Sequence, residues 1–273
     1  MDRRRENRQK EGTMEQAIIE VKGISKKYAS FAMKEVTFSL EPGYILGLTG
    51  RNGAGKTTLL RQLVHPETAS SGSVIINGID ARKNPLKAKQ ELGILMEDQP
   101  FLLDMTLEMN GTLLGAFYEH FSMEKFFEYL KKFELNRGSV YRELSRGMRM
   151  KFQLAFALAH APKLLLMDEA TGGLDVVFRR EFYYLLQEAV EQEMVSVIIA
   201  THVTEDLDKV ADYVAFMEAG RMKFYESKEE LCEKYRAYMR KQHGEAAGQG
   251  TVRLEDVIYN YDNMMEGKGT ARK

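Results

Sequence analysis

One short segment constrains the fold of this 273-residue chain more than any other. Residues 50–58 read GRNGAGKTT, between the apolar run YILGLT and the segment LLRQLV. Glycines at this spacing let backbone N–H groups turn toward a common centre, and a helix beginning after them adds the positive end of its dipole. The pattern therefore predicts a strand, a phosphate-binding loop and a helix, in that order.

The residues of this segment, called the phosphate loop below, have separate chemical tasks. Lys56 supplies a positive charge to the outer phosphates of a nucleotide, and the Thr57 hydroxyl is suited to coordinate Mg²⁺. The alternative is a glycine-rich turn with a surface lysine, which the flanking strand and helix patterns disfavour. The predicted nucleotide contacts, with Asn52 included for shaping the loop, are Gly50, Asn52, Gly53, Ala54, Gly55, Lys56, Thr57 and Thr58.

Composition excludes several classes of protein. The chain is 44% hydrophobic and 29% charged, with a formal net charge of −1 and one cysteine, Cys232. A charge near zero gives no general attraction to nucleic acid or to an anionic membrane. A single cysteine excludes an intramolecular disulfide framework and fits a reducing cytoplasm. No apolar stretch approaches the roughly 20 residues of a spanning helix, so work at a membrane would need another polypeptide.

The apolar patterns predict a mixed α/β chain with polar ends. Residues 1–13 are almost wholly polar and predict a disordered N-terminus. A helical pattern occupies roughly residues 100–160, and afterwards strands and helices alternate, with KLLLMD and VSVIIAT typical of buried parallel strands. Residues 241–273 are predicted to form a linker followed by a short C-terminal helix.

Two carboxylates follow one of these strands. LLLMDE places Asp168 and Glu169 at the carboxyl end of a parallel strand, where ligands bind in open α/β sheets. Because neighbouring strand residues point to opposite faces, the two can take different tasks. Asp168 would join the Mg²⁺ shell, and Glu169 would polarise the attacking water as general base. The alternative is a solvated acidic strand end, which loses weight beside the phosphate loop.

His202 follows the strand pattern VSVIIAT. A histidine at that strand end could donate a hydrogen bond to the terminal phosphate and sense it. Lone histidines are as often structural, so both interpretations stay open at this point.

A helix is predicted from ELSRGMRMKFQLAFALA, with Ser145 as its N-cap and Pro162 beyond its end. Its N-terminus presents the Ser145 hydroxyl and Gly147, a second arrangement suited to bind an anion. Two such arrangements in one chain would fit two chains that face each other, each completing the other's nucleotide site. By itself the segment favours the simpler interpretation of a capped amphipathic helix.

In this order the motifs resemble the ATP-binding subunits of ABC transporters, most closely the single-domain subunits of bacterial ABC-2-type exporters. The resemblance covers about residues 17–230, and the ending LEDVIYNY is similar to that of many exporter subunits. The matching motifs are the Walker A loop at 50–58, the signature motif LSRGM at 144–148, the Walker B Asp168 with the catalytic Glu169, the D-loop GGLD at 172–175 and the switch residue His202.

The resemblance implies further contacts. Tyr28 would stack on adenine, and Ser145 with Gly147 would face the phosphate bound by the opposite chain. Glu97 replaces the usual glutamine that contacts Mg²⁺ and the membrane partner, which changes the charge there. Arg146 and Met148 also depart from the usual signature residues, and Ala170 from the usual proline.

The implied fold is an α/β P-loop NTPase core, RecA-like, with an antiparallel β-subdomain. It would form an ATPase domain over residues 14–240, with a helical subdomain at about 97–151. The implied function is hydrolysis of ATP with Mg²⁺ by a homodimer or heterodimer that drives a separate polytopic permease, as an exporter. The chain would be cytoplasmic and peripheral on the inner face of the cell membrane, without a nucleic-acid partner.

Two other classes are weighed against this reading. A soluble ABC-type ATPase acting on ribosomes or nucleic acid usually carries two nucleotide domains, a coiled-coil insertion or zinc-binding cysteines, and this sequence has none of them. A small-molecule kinase would not need the Leu-Ser-x-Gly helix. Both therefore fit the sequence less well than a transporter subunit.

Overall fold

A computed structural model describes residues 16–96, 100–172, 174–244 and 250–266. Two β-sheets organise this part of the chain. Their strands are β1 (Ile19–Lys27), β2 (Ala32–Leu40), β3 (Ile45–Thr49), β4 (Ser71–Ile76), β5 (Ile79–Asp80), β6 (Leu92–Leu95), β7 (Leu164–Asp168), β8 (Ser196–Ala200), β9 (Tyr213–Glu218) and β10 (Arg221–Ser227). The first sheet is antiparallel, with strand order β2-β1-β4-β5.

The second sheet has six strands in the order β10-β9-β3-β8-β7-β6. Strands β9, β3, β8, β7 and β6 are parallel, and β10 returns antiparallel to β9 as a hairpin. The parallel strands confirm the interpretation of KLLLMD and VSVIIAT. The predicted α/β class with an antiparallel β-subdomain is confirmed as well.

Nine helices lie within the described residues. They are α1 (Lys56–Val64), α2 (Pro85–Gln90), α3 (Leu107–Gly115), α4 (Met123–Lys132), α5 (Arg146–Leu158), α6 (Val176–Glu193), α7 (Thr204–Val210), α8 (Lys228–His243) and α9 (Leu254–Glu266). Ser145 is the N-cap of α5, as predicted, and Ser122 is the N-cap of α4; each side chain accepts a hydrogen bond from the backbone N–H three residues on. None of these helices combines the length and apolar character needed to cross a membrane.

Alternation along the parallel strands divides the core into two layers. Leu46 and Leu48 of β3 pack toward the antiparallel sheet and toward the buried side of α1. Ile45 of β3 and Leu165 of β7 pack into the layer that contains α5, α6 and the 107–132 helices. Because each strand contributes side chains to both layers, the six-stranded sheet is buried on both faces. The strand ends therefore hold the phosphate loop between two packed layers.

The helices α3, α4 and α5 pack around an aromatic centre. Phe126 and Phe152 are fully buried there, and a Cβ built on Gly111 would lie 2.3 Å from the Phe126 ring. The predicted boundary at residue 151 falls inside α5, which continues to Leu158. The helix continues because residues 150–160 are all buried between this aromatic centre and strand β6.

The C-terminal segment packs against the core. Helix α8 extends through His243, so the linker predicted from Lys241 begins three residues too early; basic residues in the last turn of α8 favour its continuation. In α9, Leu254 is fully buried, and its N–H donates to the Asp208 carboxylate at 3.1 Å. Tyr261 stacks on Phe224 with ring centres 4.2 Å apart, so this side of the predicted C-terminal helix faces the protein.

Candidate nucleotide-binding site

The phosphate loop connects β3 to α1, as predicted from its sequence. Gly50 has φ of 149°, and a Cβ there would lie 2.2 Å from the Met217 carbonyl oxygen, so only glycine fits. Gly55 has φ of 109° and is the N-cap of α1. Both positions let the chain turn tightly into the helix, whose first N–H groups are left for a ligand.

Lys56 is held at the centre of the loop. Its side chain is 6% exposed, and Nζ donates a hydrogen bond to the Gly50 carbonyl at 2.8 Å. The same nitrogen lies 3.7 Å from Oε1 of Glu169. The charge that would attract phosphate is therefore buried and already partly neutralised by the proposed base.

The rest of the loop divides into an exposed tip and a buried stem. Asn52 and Gly53 are exposed, Ala54 is buried, and Thr57 and Thr58 are half-buried at the start of α1. The support beneath the tip is not visible in any local sequence pattern. The turn of the β9–β10 hairpin reaches the loop, because Gly220 N–H donates to the Ala54 carbonyl at 3.0 Å.

Asp168 ends strand β7 next to the loop. Thr57 hydrogen-bonds to its carboxylate, and burial raises the pKa of Asp168 above its ordinary value. Its Oδ1 is buried and has no hydrogen-bond partner in the described part of the chain. An unpartnered buried carboxylate oxygen beside a hydroxyl is a fitting pair of ligands for a hard cation.

The Thr57 hydroxyl and the Asp168 carboxylate suit Mg²⁺ better than they suit a metal ion whose ligands all come from the protein. The residues described contain no group of three or more His, Cys, Asp or Glu side chains that could hold a metal. Mg²⁺ is commonly bound by one or two protein oxygens together with substrate phosphates and water. Thr57 and Asp168 therefore suit an ion that arrives with a nucleotide. Glu97, the third predicted ligand, lies outside the described residues.

Glu169 and His202 meet across the ends of β7 and β8. His202 Nδ1 lies 2.8 Å from Glu169 Oε2, and both side chains are partly exposed. Simple strand alternation does not explain the separate tasks of the two carboxylates, because β7 ends at Asp168 and Glu169 has φ of 46°. The left-handed backbone turns Glu169 toward His202 and Lys56, whereas Asp168 contacts Thr57.

A cavity of about 810 Å³ opens beside the loop. Its volume falls in the usual range of roughly 300–1,000 Å³ for small-molecule sites. Tyr28 is 43% exposed at this cavity, and Lys26 Nζ lies over its ring, 5.5 Å from the ring centre. The predicted site residues that line the cavity are Tyr28, Thr57, Asp168 and Glu169.

The signature segment, residues 144–148, lies elsewhere. Ser145 is exposed, and its hydroxyl accepts the Met148 N–H at 3.2 Å. Gly147 packs against α6, where a Cβ would lie 2.7 Å from the Phe178 ring. Among the described residues, none of the signature segment lines the cavity beside the phosphate loop. The signature segment and the cavity beside the phosphate loop are thus separate within one chain.

Comparisons with known proteins agree with this geometry. The sequence model of the ABC transporter family matches residues 33–172, about half of the chain. The ABC transporter ATP-binding protein YtrB of Bacillus subtilis is 32% identical over 80% of this chain and 75% of its own length. The sulfate/thiosulfate import ATP-binding protein CysA of Bordetella parapertussis is 34% identical over 79% of this chain and 64% of its own.

The fold is also similar to a solved structure, described as the ATP-binding subunit of an ABC transporter. It superimposes with a TM-score of 0.74 over 91% of this chain and 99% of the other, at 23% identity. At that identity the likeness concerns the fold, and it agrees with the two-sheet core with an inserted helical region.

Proposed function

The chain belongs to the ABC transporter family of ATP-binding ATPases, and we propose that it powers export as a dimer that closes around ATP. ATP hydrolysis in a transport system follows from the family. The direction of transport is the proposal, because one relative is named as an import protein. Export is supported by the resemblance of the ATPase domain to the single-domain subunits of ABC-2-type exporters. The segment LEDVIYNY, which begins α9, is also similar to the ending of many exporter subunits.

One observation carries the proposal of a dimer. The phosphate loop and the signature segment are both built to bind an anion, yet only the first borders the cavity of its own chain. Ser145 remains exposed at the N-terminus of α5. A second copy, or a related subunit, facing this surface would bring its signature segment to the first chain's phosphates. Each chain would then complete the other's site.

The chemistry follows from the contacts of the described residues. We infer that bound phosphates attract the Lys56 ammonium away from Glu169. The Glu169 carboxylate is then free to accept a proton from the attacking water. His202 then contacts the terminal phosphate while Glu169 orients it through Nδ1. Thr57 and Asp168 would hold Mg²⁺, which neutralises the charge that develops on the phosphate oxygens. Tyr28 would stack on adenine at the cavity rim.

The surface beside α3 is the proposed docking site of the permease. Several apolar side chains are exposed on and near this helix: Leu103 (51%), Met109 (44%), Leu113 (48%) and Phe117 (76%). Exposed apolar clusters of this kind mark interaction surfaces. A short cytoplasmic helix of the permease could lay its apolar face here. The helices α3, α4 and α5 would then transmit the closure of the dimer to the permease.

Co-purification tests the proposed partner directly. The tagged chain is expressed with each polytopic membrane protein encoded beside it, extracted in detergent and captured. We expect one membrane protein to be retained, to be lost in Phe117→Asp, and to be kept in Tyr259→Asp, which alters a similarly exposed aromatic residue on α9. If the chain is captured without any membrane protein and sediments with ribosomes, the soluble alternative replaces this proposal.

A further inference from the structure

A buried polar cluster lies behind the contact between Glu169 and His202. It consists of Thr171, Arg179, Tyr183 and Asp206, and is called the Asp206 cluster below. Asp206 is 1% exposed, and its Oδ2 accepts hydrogen bonds from Thr171 Oγ1 and Tyr183 Oη, both at 3.3 Å. The two hydroxyl oxygens are 3.1 Å apart. No local sequence pattern indicates any of these residues.

Among the described contacts, Asp206 has one charged partner, Arg179 of the same cluster. Arg179 lies 3.7 Å from Oδ1, and its guanidinium also donates to the Leu174 carbonyl at 3.2 Å. Burial, with Asp206 nearby, raises the pKa of Tyr183, so its hydroxyl remains a donor. A buried carboxylate persists only when it is paired and hydrogen-bonded in this way.

The position of the cluster links it to the reaction. Thr171 lies two residues after Glu169, and Asp206 lies four residues after His202. Arg179 and Tyr183 belong to α6, so α6, α7 and the segment that follows β7 meet at one carboxylate. The chain segments that carry Glu169 and His202 are therefore joined twice, directly at 2.8 Å and again through Asp206.

The backbone at Glu169 needs such support. Its φ of 46° is in the left-handed region, which a residue with a side chain adopts at a cost unless its surroundings hold it. Two backbone hydrogen bonds fix it: Glu169 N–H donates to Ala200, and Gly172 N–H donates to Glu169. Asp206 anchors Thr171, which lies between Glu169 and Gly172, the two residues joined by the second of these bonds.

We propose that Asp206 is a positioning residue for ATP hydrolysis, which fixes the spacing between the chain segments that carry Glu169 and His202. Tyr183 and Thr171 supply the hydrogen bonds through which it acts, and Arg179 balances its charge. The inference rests on the proposed roles of Glu169 and His202. Asp206 itself does not line the cavity and touches no reacting atom.

Two variants test the role. Asp206→Asn keeps the shape but removes the charge, and Tyr183→Phe removes one donor. Because small displacements of catalytic groups are costly, we expect kcat for ATP to fall about tenfold or more in the first and severalfold in the second. ATP binding by the monomer should stay within about twofold, because the phosphate loop is unchanged. Tyr129→Phe is the matched control, since it removes a tyrosine–carboxylate bond to Glu193 on the outer surface.

A double-mutant cycle separates positioning from simple stabilisation. If Asp206 acts through His202, adding Asp206→Asn to His202→Ala should lower kcat by less than about threefold further. Turnover is measured well below each melting temperature. The inference would be overturned if Asp206→Asn and Tyr183→Phe lowered only the melting temperature and kept the wild-type kcat. It would also be overturned if the effects of Asp206→Asn and His202→Ala on kcat multiplied fully. If Asp206→Asn does not fold, Tyr183→Phe and its own cycle with His202→Ala decide.

Turnover of Glu169→Gln and of His202→Ala separates this inference from the proposed function. Full turnover in both Glu169→Gln and His202→Ala would show that the proposed roles of those residues are wrong. Loss of turnover in those two variants, with normal turnover in Asp206→Asn, would overturn the role of Asp206 alone.

Discussion

His202 Nδ1 and Glu169 Oε2 lie 2.8 Å apart although 33 positions separate the two residues in the chain. The parallel pairing of β7 with β8, with Asp168 opposite Ala200, places the two strand ends side by side. Glu169 Oε1 is also 3.7 Å from the Lys56 ammonium. The proposed base therefore already contacts both groups that would serve the terminal phosphate.

Glu169→Gln should bind ATP and trap a dimer. The amide cannot accept the proton of the attacking water, whereas the phosphate loop and the signature segment remain intact. We expect kcat to fall by about 10²-fold or more, in keeping with loss of a general base. Gel filtration with ATP and Mg²⁺ should move the variant from monomer to dimer.

Glu193→Gln is the control for that experiment, because Glu193 ends α6 and bonds Tyr129 on the outer surface. It should hydrolyse ATP normally and give no trapped dimer. A Glu169→Gln protein that elutes only as monomer at saturating ATP would contradict the shared nucleotide site.

Ser145→Arg should abolish turnover while leaving ATP binding by the monomer nearly unchanged. The larger cation would replace the hydroxyl that we expect to face the opposite chain's phosphate, and Ser145 does not line its own chain's cavity. Fluorescent nucleotide titration of dilute protein measures binding, and phosphate release measures turnover. Loss of monomer binding would instead indicate a local role for Ser145.

Ser122→Arg is the matched control for the loss of a helix cap. Ser122 caps α4 as Ser145 caps α5, each at 3.2 Å from the N–H that it accepts. Loss of a serine cap costs about 1 kcal/mol, so both variants should be destabilised alike. Only Ser145→Arg should lose turnover.

The parts of the site that were predictable are those formed by neighbouring residues. The turn of the phosphate loop needs glycines at fixed spacing, and the N-cap of α5 needs a hydroxyl before an apolar helix, so both are visible in short stretches. Different tasks for Asp168 and Glu169 were predicted because neighbouring residues of a strand point to opposite faces. Their surroundings do differ, but for another reason. The structure produces them through the left-handed backbone at Glu169.

Contacts that depend on strand order were not predictable. Asp206 bonds Thr171 across 35 positions, and Gly220 reaches Ala54 through the hairpin that pairs beside β3. No local pattern distinguishes Asp206 from its exposed neighbour Glu205. The bound predicted at about residue 151 falls inside α5, because the helix continues without a break to Leu158.

Gly147→Ala should lower both stability and turnover. Alanine is favoured over glycine by about 1 kcal/mol in a helix interior, and by at most that amount at Gly147, the second residue of α5. Here its Cβ would lie 2.7 Å from the Phe178 ring, and overpacking of this kind costs about 1–3 kcal/mol. We expect a net loss of stability of about 1 kcal/mol and a displaced signature segment. Urea denaturation and ATPase assays measure the two effects.

A second substitution on α6 tests the cause. Phe178→Leu shortens the side chain opposite Gly147, so the double variant should recover stability relative to Gly147→Ala. Greater stability of Gly147→Ala than of the wild type would show that Phe178 moves away at little cost.

His160 should make the protein less stable as the pH falls. It is buried, its Nε2 is 3.1 Å from the Leu92 carbonyl, and its ring stacks on Tyr118 at 4.1 Å. Burial lowers the pKa of His160 from 6.5 to about 4. The unfolded chain therefore takes up this proton at a higher pH than the folded protein does. The stabilising contribution is complete above pH 6.5 and is lost as the pH falls toward about 4.

His160→Gln isolates this effect, because glutamine can donate to the Leu92 carbonyl but does not titrate. The loss of the Tyr118 stack destabilises the variant at every pH, so the difference in slope is the measurement that matters. One pKa unit corresponds to about 1.36 kcal/mol, so the wild type should lose about 2 kcal/mol more than the variant between pH 7.5 and 5. Parallel unfolding curves across that range would mean that His160 takes up its proton in the folded protein as readily as in the unfolded chain.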